Sequence, residues 1–330
     1  MKPQIAFLTG GYSGEAEISY KSAITISAHI DRDKYTAYTI DLRPDGWWYT
    51  PPTGEKQAVD KNDFSIRADG RHVRFDAVLI GIHGTPGEDG KLQGYLDMMG
   101  LPYTSCDAAT SALTFNKRFT VAVAGMGGIH VARSVLLLRD RLRNPEALTD
   151  GLTFPVFVKP NNGGSSIGMS KVNAPSEELG KAIEKAFKED DQVLVEEFIR
   201  GREITVGVFQ SKGEIVTLPL TEIISKNEFF DFEAKYLGKS EEVTPARIPD
   251  KMAEKVRDTA KEVYRLLNCR GIVRIDFIYN ETADAPYLLE VNTVPGQSEA
   301  SIVPQQVKAM GWNLKEFYSM LIDEALAGRR

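Results

Sequence analysis

Two apolar segments near the end of the chain carry charged and amide side chains at alternate positions. In "GIVRIDFIY", one apolar residue separates Arg274 from Asp276, and in "PYLLEVN" one separates Glu290 from Asn292. Successive side chains of a strand point to opposite faces, so each pair shares a face. If the strands are neighbours, an arginine, two carboxylates and an amide oxygen converge. Such oxygen ligands suit a hard cation such as Mg²⁺, which usually bridges carboxylates to substrate phosphates.

A solvated outer face of a sheet would also carry charged side chains, and that is the alternative. Asn292, however, leads directly into "TVPG", a sharp break that ends at Gly296. The convergence of four polar groups beside this break favours a functional site.

A second candidate is the loop "VKPNNGGSSIGMSKV", which follows an apolar run and begins at Val158. Its Lys159 precedes the glycines, whereas a Walker A lysine follows them and a dinucleotide fingerprint opens a helix. The order predicts two strands joined by a flap in which Lys159 binds one phosphate. The backbone N–H groups from Gly163 to Ser166 would cover others. A flexible hairpin with a surface lysine is the alternative.

Three further positions are ambiguous when taken singly. Glu15 follows the glycines of "LTGGYSGEAEIS" and could bind an ammonium group, or only complement a helix N-terminus. His83, in "GIHGTPGEDG", ends an apolar strand where α/β sheets bind ligands, but a structural histidine is equally compatible. Lys117 alone would be a surface lysine.

The elements that must position these residues follow from periodicity. Strands "QIAFL", "YTAYTIDL" and "DAVLIGIHG" with a helix over 15–30 predict a parallel α/β sheet in the first third. A polar excursion, 43–71, interrupts it. Strands are then predicted in "IHVARSVLLL", "PVFVK", "QVLVEEF", "REITVGVFQ", "GEIVTLPLTEI" and the two late segments. Helices are predicted over 176–188, with Ser176 as N-cap, around 252–267, and twice at the end.

Composition restricts the class of protein. The 330 residues are 42% hydrophobic and 26% charged, as in a globular chain of two or three domains. A net charge of −6 argues against a nucleic-acid partner. Cys106 and Cys269 have the spacing of neither a zinc site nor a redox motif. No apolar run approaches the ~20 residues of a membrane span, so we expect a cytoplasmic protein without a membrane partner.

Taken together, the motifs resemble the D-alanine:D-alanine ligases of the ATP-grasp superfamily. The matching stretches are "LTGGYSGEAEIS", "HGTPGEDGKLQGYLDMMGLPYTS", "VKPNNGGSSIGMSKV", "FFDFEAKY", "GIVRIDF" and "LLEVNTVPG". They follow the family's order and leave out only 43–71 and 125–151. The resemblance implies an α/β fold, α+β in its ATP-binding part, with an N-terminal parallel sheet. We predict domains at 1–103 (substrate), 104–194 (central, with the flap) and 195–330 (metal site and mobile loop).

The resemblance also implies a reaction. ATP phosphorylates the carboxylate of one D-alanine, and the amine of a second attacks the acyl phosphate. The tetrahedral intermediate then collapses to D-alanyl-D-alanine, ADP and phosphate, and the dipeptide feeds peptidoglycan synthesis. The enzyme would be a homodimer.

The roles of individual residues follow from the same resemblance. ATP would be bound by Lys117, Lys159, the flap residues Ser165 and Ser166, and Glu196, Glu197 and Glu203 near the adenine and ribose. Two Mg²⁺ ions, or Mn²⁺, would be held by Asp276, Glu290 and Asn292.

The substrate residues are implied in the same way. Glu15 would bind the first D-alanine's ammonium, with His83 beside it, while Arg274 and the Gly296 N–H would stabilise the oxyanion. Ser301 and the Ile302 backbone would serve the second D-alanine, and Lys235 is implied as a further substrate-binding residue. A hydrogen-bonded chain would join Glu15, Ser165 and Tyr236.

Three alternatives remain open at this point. A D-alanine:D-lactate ligase differs only in its acceptor, and Tyr236 in "EAKY" favours the dipeptide-forming class. An NAD-dependent dehydrogenase is supported only by the first strand, its glycine turn and Asp41. A nucleotide-binding module without catalysis is disfavoured by the complete set of Arg274, Asp276, Glu290 and Asn292.

Overall fold

The structure is a computed structural model and describes residues 2–141, 149–164, 167–225 and 240–328. Four residues predicted for the site, Ser165, Ser166, Lys235 and Tyr236, lie outside these ranges.

The first part of the chain forms the predicted parallel sheet. Its elements are β1 (Gln4–Gly10), α1 (Ala16–His29), β2 (Thr36–Arg43), β3 (Gly46–Tyr49), β4 (Gln57–Ala58), β5 (Ile66–Ala68), β6 (Arg71–Val73), β7 (Ala77–Ile80) and α2 (Lys91–Met98). The sheet order is β4-β3-β2-β1-β7, with β1 parallel to both β2 and β7. The excursion is partly ordered, because β3 and β4 extend the sheet and β5 pairs with β6.

The second part is a small antiparallel sheet covered by a helix. It contains α3 (Ala108–Phe115), α4 (Lys117–Met126), β8 (Ser134–Leu138), a 3₁₀ turn (Arg139–Arg141), β9 (Val156–Pro160), β10 (Ser170–Val172), α5 (Glu177–Ala186) and β11 (Gln192–Glu197). The sheet order is β10-β9-β11-β8. Ser176 caps α5 as predicted, since its side chain accepts from the Glu178 N–H. The strand predicted from Ile129 begins only at Ser134, because the preceding residues run beside β17, where the Leu288 N–H donates to the His130 carbonyl.

The third part contains the larger antiparallel sheet. Its elements are β12 (Arg202–Ser211), β13 (Glu214–Thr217), β14 (Thr221–Ser225), β15 (Ser240–Val243), α6 (Asp250–Leu266), β16 (Val273–Asn280), β17 (Ala285–Asn292), α7 (Ile302–Ala309) and α8 (Leu314–Ala327). The order is β15-β14-β12-β16-β17, and β13 also pairs with β12.

The prediction of one strand across "GEIVTLPLTEI" was wrong. Thr217 lies opposite Val208 and Thr221 lies opposite Thr205, so the segment between β13 and β14 has one residue more than its partner. That segment contains Pro219, which lacks the N–H that a regular ladder requires. The extra residue forms a bulge that divides the strand.

Both faces of the parallel sheet are buried by other elements. One face of the parallel sheet, including Phe7, packs on α1 and on the C-terminal helix α8, where Phe317 is fully buried. The other face, including Leu8, packs on α2 and on Phe64 of the excursion. The excursion therefore completes a hydrophobic core, and α8 fixes the first domain to the third.

The backbone at Thr104, which follows the parallel sheet, also meets the backbone just before β16. Gly271, just before β16, has φ +59°, and a Cβ at this position would lie 1.8 Å from the Thr104 carbonyl oxygen. Only glycine allows this approach, because any side chain would overlap a backbone atom that cannot rotate away.

We expect Gly271→Ala to lower the free energy of unfolding by about 3 kcal/mol, because backbone strain and overpacking combine. The matched control is Gly70→Ala, since Gly70 has φ +73° but no atom within 4 Å of an added Cβ. Its loss should be about 1 kcal/mol, from strain alone. Urea unfolding of both variants measures the difference, and equal losses would contradict the close approach.

Candidate active site

The two late strands are neighbours, as the predicted site requires. β16 pairs antiparallel with β17, with Arg274 opposite Asn292 and Asp276 opposite Glu290. The intervening Ile275 points to the other side and is fully buried against the core that includes α6. Alternation thus places all four polar side chains on one face of the sheet.

Arg274 and Asp276 form the centre of this face. The Arg274 Nη2 lies 2.7 Å from Asp276 Oδ2, its Nε lies 2.9 Å from Oδ1, and Glu290 Oε1 is 3.8 Å from Nη2. Thr205 on β12 donates a further hydrogen bond to Asp276. Burial alone would lower the pKa of Arg274, but the charges of Asp276 and Glu290 outweigh it and raise the pKa. The guanidinium therefore stays charged in a nearly dry site.

The same face carries oxygen atoms of the kind that bind Mg²⁺. Asp276 and Glu290 offer carboxylate oxygens. The Asn292 Nδ2 lies 3.2 Å from Asp276 Oδ2 and 3.4 Å from Glu290 Oε1. Because amide orientation is assigned from the hydrogen-bond network, a rotated Asn292 would present its oxygen instead. In the described ranges, no three histidine, cysteine or acidic side chains cluster as a metal site. Two carboxylates and one amide are nevertheless a set that fits Mg²⁺ together with phosphate oxygens.

Two lysines approach this face from the second domain. Lys159 at the end of β9 contacts Glu196 of β11, with Nζ 2.6 Å from Oε1. Lys117 begins α4, and its Nζ donates to the Gly163 carbonyl of the flap at 2.5 Å. Burial lowers the pKa of Lys117, and so does the Lys159 charge, while Glu290, Glu196 and Glu15 oppose the shift. Both lysines therefore belong to the same electrostatic environment as the β17 carboxylate.

Asn161 fixes the position of Lys117, a role that the sequence did not indicate. Its carbonyl accepts from the Lys117 N–H at 3.0 Å, and its Oδ1 accepts from the Arg118 N–H at 2.9 Å. Its Nδ2 donates to Gln192 Oε1 at 2.8 Å. The fully buried amide thus joins the start of α4 to β9 and β11.

Glu15 lies between the first domain and the flap. A Cβ added to Gly84 would lie 2.5 Å from Glu15 Oε2, and one added to Gly164 would lie 2.6 Å from Oε1. Both glycines thus allow the backbone to approach the carboxylate closely. A carboxylate between the turn after His83 and the flap is suited to bind an ammonium group.

His83 is a neutral, buried residue of the same pocket. Its Nε2 lies 2.9 Å from Ser22 Oγ, and the same oxygen accepts from the Gln297 N–H at 3.1 Å. Burial lowers its pKa to about 4, despite a backbone hydrogen bond to Val294 that raises it. His83 therefore links α1 to the loop after β17 and carries no charge at neutral pH.

Glu88 belongs to this pocket as well, although the sequence analysis did not single it out. Its Oε2 accepts from the Gly84 N–H at 2.7 Å, and its Oε1 accepts from the Val294 N–H at 3.2 Å. Burial and the nearby Glu15 raise its pKa to about 8. The only signal available in the sequence was an acidic residue inside the glycine-flanked segment after His83.

The loop after β17 leads to the start of α7. A Cβ added to Gly296 would lie 2.8 Å from Ser301 Oγ, so the predicted oxyanion and acceptor residues are in contact range. Ser301 is the N-cap of α7 but makes no capping hydrogen bond; its hydroxyl contacts Ser298 Oγ at 2.7 Å. The buried Gln306 anchors α7, because its Oε1 accepts from the Gly207 N–H at 2.8 Å. The Ile302 N–H begins the helix and can bind an anion.

The remaining nucleotide candidates lie at the edge of the site. Glu197 Oε1 accepts from the Thr153 N–H at 2.8 Å and lies 3.5 Å from Arg133 Nη1. Glu203 lies on β12, half-buried, opposite Ile278 of β16. Glu197 ends β11 and Glu203 lies near the start of β12, and their contact with a nucleotide stays a prediction.

Comparisons with known proteins agree with this geometry. Two family models match, described as D-ala D-ala ligase N-terminus over residues 4–106 and D-ala D-ala ligase C-terminus over residues 123–323. A D-alanine--D-alanine ligase of Flavobacterium johnsoniae is 45% identical over 98% of this chain and 99% of its own. One from Porphyromonas gingivalis is 44% identical, covering 98% of each chain.

Solved structures agree as well. The VanG D-Ala:D-Ser ligase of Enterococcus faecalis superposes with a TM-score of 0.87 at 31% identity, over 98% of this chain and all of the other. The D-alanine--D-alanine ligase of Bacillus anthracis complexed with ATP gives 0.79 at 28% identity, over 99% and 98%.

The sheets, the flap and the polar face of β16 and β17 define an ATP-dependent ligase of the ATP-grasp fold. The chain belongs to the D-alanine–D-alanine ligase family, to which both of its matched segments correspond. Membership of this family favours neither the dehydrogenase alternative nor the module without catalysis. In the described part of the chain, no helix combines the length and apolarity that crossing a bilayer requires.

The lowered pKa of His83 predicts a pH-dependent stability. Burial disfavours the charged ring, so the His83 contribution is complete above the ordinary pKa of ~6.5 and is lost as pH falls toward about 4. The slope is at most about 1.4 kcal/mol per pH unit. The destabilisation caused by His83→Gln should therefore be largest at pH 7.5 and shrink toward pH 4.5.

Urea unfolding across that pH range measures the effect. The control is His29→Gln, whose ring contacts only the Thr25 carbonyl within its own helix. A His83→Gln penalty that does not change with pH would contradict the neutral, buried ring.

Proposed function

We propose that this chain joins two D-alanines to D-alanyl-D-alanine while converting ATP to ADP and phosphate. The observation that carries the proposal is the set of charges around Lys117: Glu290, Lys159, Glu196 and Glu15 all act on its pKa, and Glu290 also lies beside the pair of Arg274 and Asp276. Such a set of charges can bind an amino acid by its ammonium and bring its carboxylate next to a phosphate.

The lysines would bind the phosphates. Lys117 and Lys159 carry the positive charge, and the backbone from Gly163 to Ser166 would cover the transferred group. Mg²⁺, or Mn²⁺, held by Asp276, Glu290 and Asn292 would neutralise the charge that develops there. Glu196 is paired with Lys159 in the structure. We propose that Glu196, Glu197 and Glu203 serve the adenine and ribose.

The first D-alanine would lie between the first domain and the β17 loop. Its ammonium would bind Glu15, and neutral His83 would lie beside it without competing for the negative charge. Arg274 and the Gly296 N–H would stabilise the oxyanion formed when the second amine attacks. We keep Ser165 and Tyr236 as the predicted connection from Glu15 to the flap and the mobile loop.

The second D-alanine would bind at the start of α7. Ser301 and the Ile302 N–H offer two donors for its carboxylate, and the helix N-terminus favours the negative charge. Lys235 is proposed to complete this subsite. We further infer a cytoplasmic homodimer whose product feeds peptidoglycan synthesis, as the family resemblance implies, and the domain limits 1–103, 104–194 and 195–330 remain our prediction.

The experiment that tests the function is phosphate release from ATP and Mg²⁺ with D-alanine, L-alanine or D-lactate. Release should require both Mg²⁺ and D-alanine, and the product should be the dipeptide. Release that is independent of D-alanine would refute the proposal.

The acceptor choice gives a separate prediction. At pH 7.5 we expect D-alanyl-D-alanine to form in large excess over D-alanyl-D-lactate when both acceptors are present, because a site built to bond an amine rejects an analogue that lacks it. Chromatography of the two products measures the ratio. Comparable yields would favour the D-lactate alternative.

The metal assignment is tested by Glu290→Gln. We expect at least ~100-fold slower turnover, because a metal ligand is lost where charge develops. Asp276→Asn should also abolish turnover, but it leaves the buried Arg274 without its main partner and will cost stability as well.

Glu290→Gln is therefore the cleaner variant, and Glu281→Gln, in the exposed turn between β16 and β17, is its matched control. Urea midpoints of both should stay close to that of the original protein. Normal turnover in Glu290→Gln would show that this carboxylate binds no essential metal.

A further inference from the structure

The carboxyl group of Glu88 connects two distant segments of the chain. Both of its oxygens accept backbone N–H groups, one from Gly84 at 2.7 Å and one from Val294 at 3.2 Å, the latter 206 residues away. Neither contact belongs to a regular strand or helix. One side chain thus joins the segment after β7 to the loop after β17 without the backbone pairing of adjacent strands.

Each segment that Glu88 holds carries a residue of the proposed site. Gly84 lies against the Glu15 carboxylate, which an added Cβ would approach to 2.5 Å. Val294 precedes Gly296 by two residues, and its backbone also forms a hydrogen bond with His83. A shift at either end of the Glu88 side chain would change the distance between the ammonium site and the oxyanion site.

The charge around Glu88 is consistent with this role. The titratable groups that act on it are Glu15, which raises its pKa, and Arg274, which lowers it, while burial raises it most. The neighbouring His83 is neutral. The Gly84 and Val294 N–H groups lower the pKa of Glu88 as well, because hydrogen bonds donated to both oxygens favour the carboxylate. These two bonds are the contacts through which the side chain joins both segments.

We propose that Glu88 is a positioning residue for the ligase reaction: it fixes the Gly296 N–H at a set distance from the Glu15 carboxylate. The inference rests on the proposed function for its catalytic consequence, but the connection itself is a property of the fold. Because the oxyanion forms only after attack, the positioning acts on the transition state more than on substrate binding.

The test is Glu88→Gln, which keeps the shape but replaces one acceptor by an NH₂ that faces a backbone N–H. We expect kcat to fall by roughly 10- to 100-fold, as a misplaced oxyanion donor would cause. The KM for ATP should change less than about twofold, because the nucleotide residues lie on other segments. The control is Asp89→Asn: this neighbouring acid contacts Thr85 and Lys91 instead, and its kinetics should match the original.

A second measurement does not depend on activity. Hydrogen exchange at the Val294 and Gly84 amides should become at least about tenfold faster in Glu88→Gln while the urea midpoint stays within error, because a local contact opens. If Glu88→Gln folds poorly, Glu88→Asp, which retains the acid but cannot span both partners, should show the same two effects.

These results separate the two ideas. Unchanged exchange and unchanged kcat in a folded variant would overturn the positioning role, as would a loss of stability with kcat intact. If the original protein does not consume D-alanine, the proposed function fails, and the exchange measurement still decides whether Glu88 holds the loop.

Discussion

The buried pair between Arg274 and Asp276 is the interaction on which the site depends. Removing a guanidinium and a carboxylate from water is costly, and breaking such a pair can cost about 3–5 kcal/mol. The pair is maintained because Thr205 and Asn292 complete the hydrogen bonds of Asp276 and because Glu290 adds negative charge. The cluster therefore requires three adjacent strands in one register. The core under β16 and the packing of α6 support that sheet.

The second constraint is that the pocket is assembled from segments that are far apart in the chain. Glu15 and His83 come from the first domain, Lys117 and Lys159 from the second, and Arg274 from the third. Single side chains make the connections: Ser22 and Glu88 between the first and third domains, and Asn161 within the second. Each is buried or nearly so, and each satisfies backbone groups that no regular element pairs. These hydrogen bonds therefore position the site residues, in addition to the hydrophobic packing that joins the parts of the chain.

The sequence predicted those parts of the site that depend on local periodicity. Alternation along β16 and β17 was sufficient to place Arg274 with Asp276 and Glu290 with Asn292, because a strand has only two faces. It could not reveal Glu88 or Asn161, whose partners lie in other segments and whose residue types are common in loops. The division of the strand at Pro219 depended on its register against β12, which one segment does not encode. The motif resemblance supplied the domain order and the reaction, neither of which follows from periodicity.

The hydrogen bonds of Asn161 have a consequence for how Lys117 and Lys159 can move relative to each other. Because Asn161 holds the first turn of α4 to the end of β9, the backbones of Lys117 and Lys159 belong to one hydrogen-bonded unit. Any rigid rotation of this unit would carry both lysines together. Their backbone spacing would then stay the same, and only their distance from the acidic face of β16 and β17 would change.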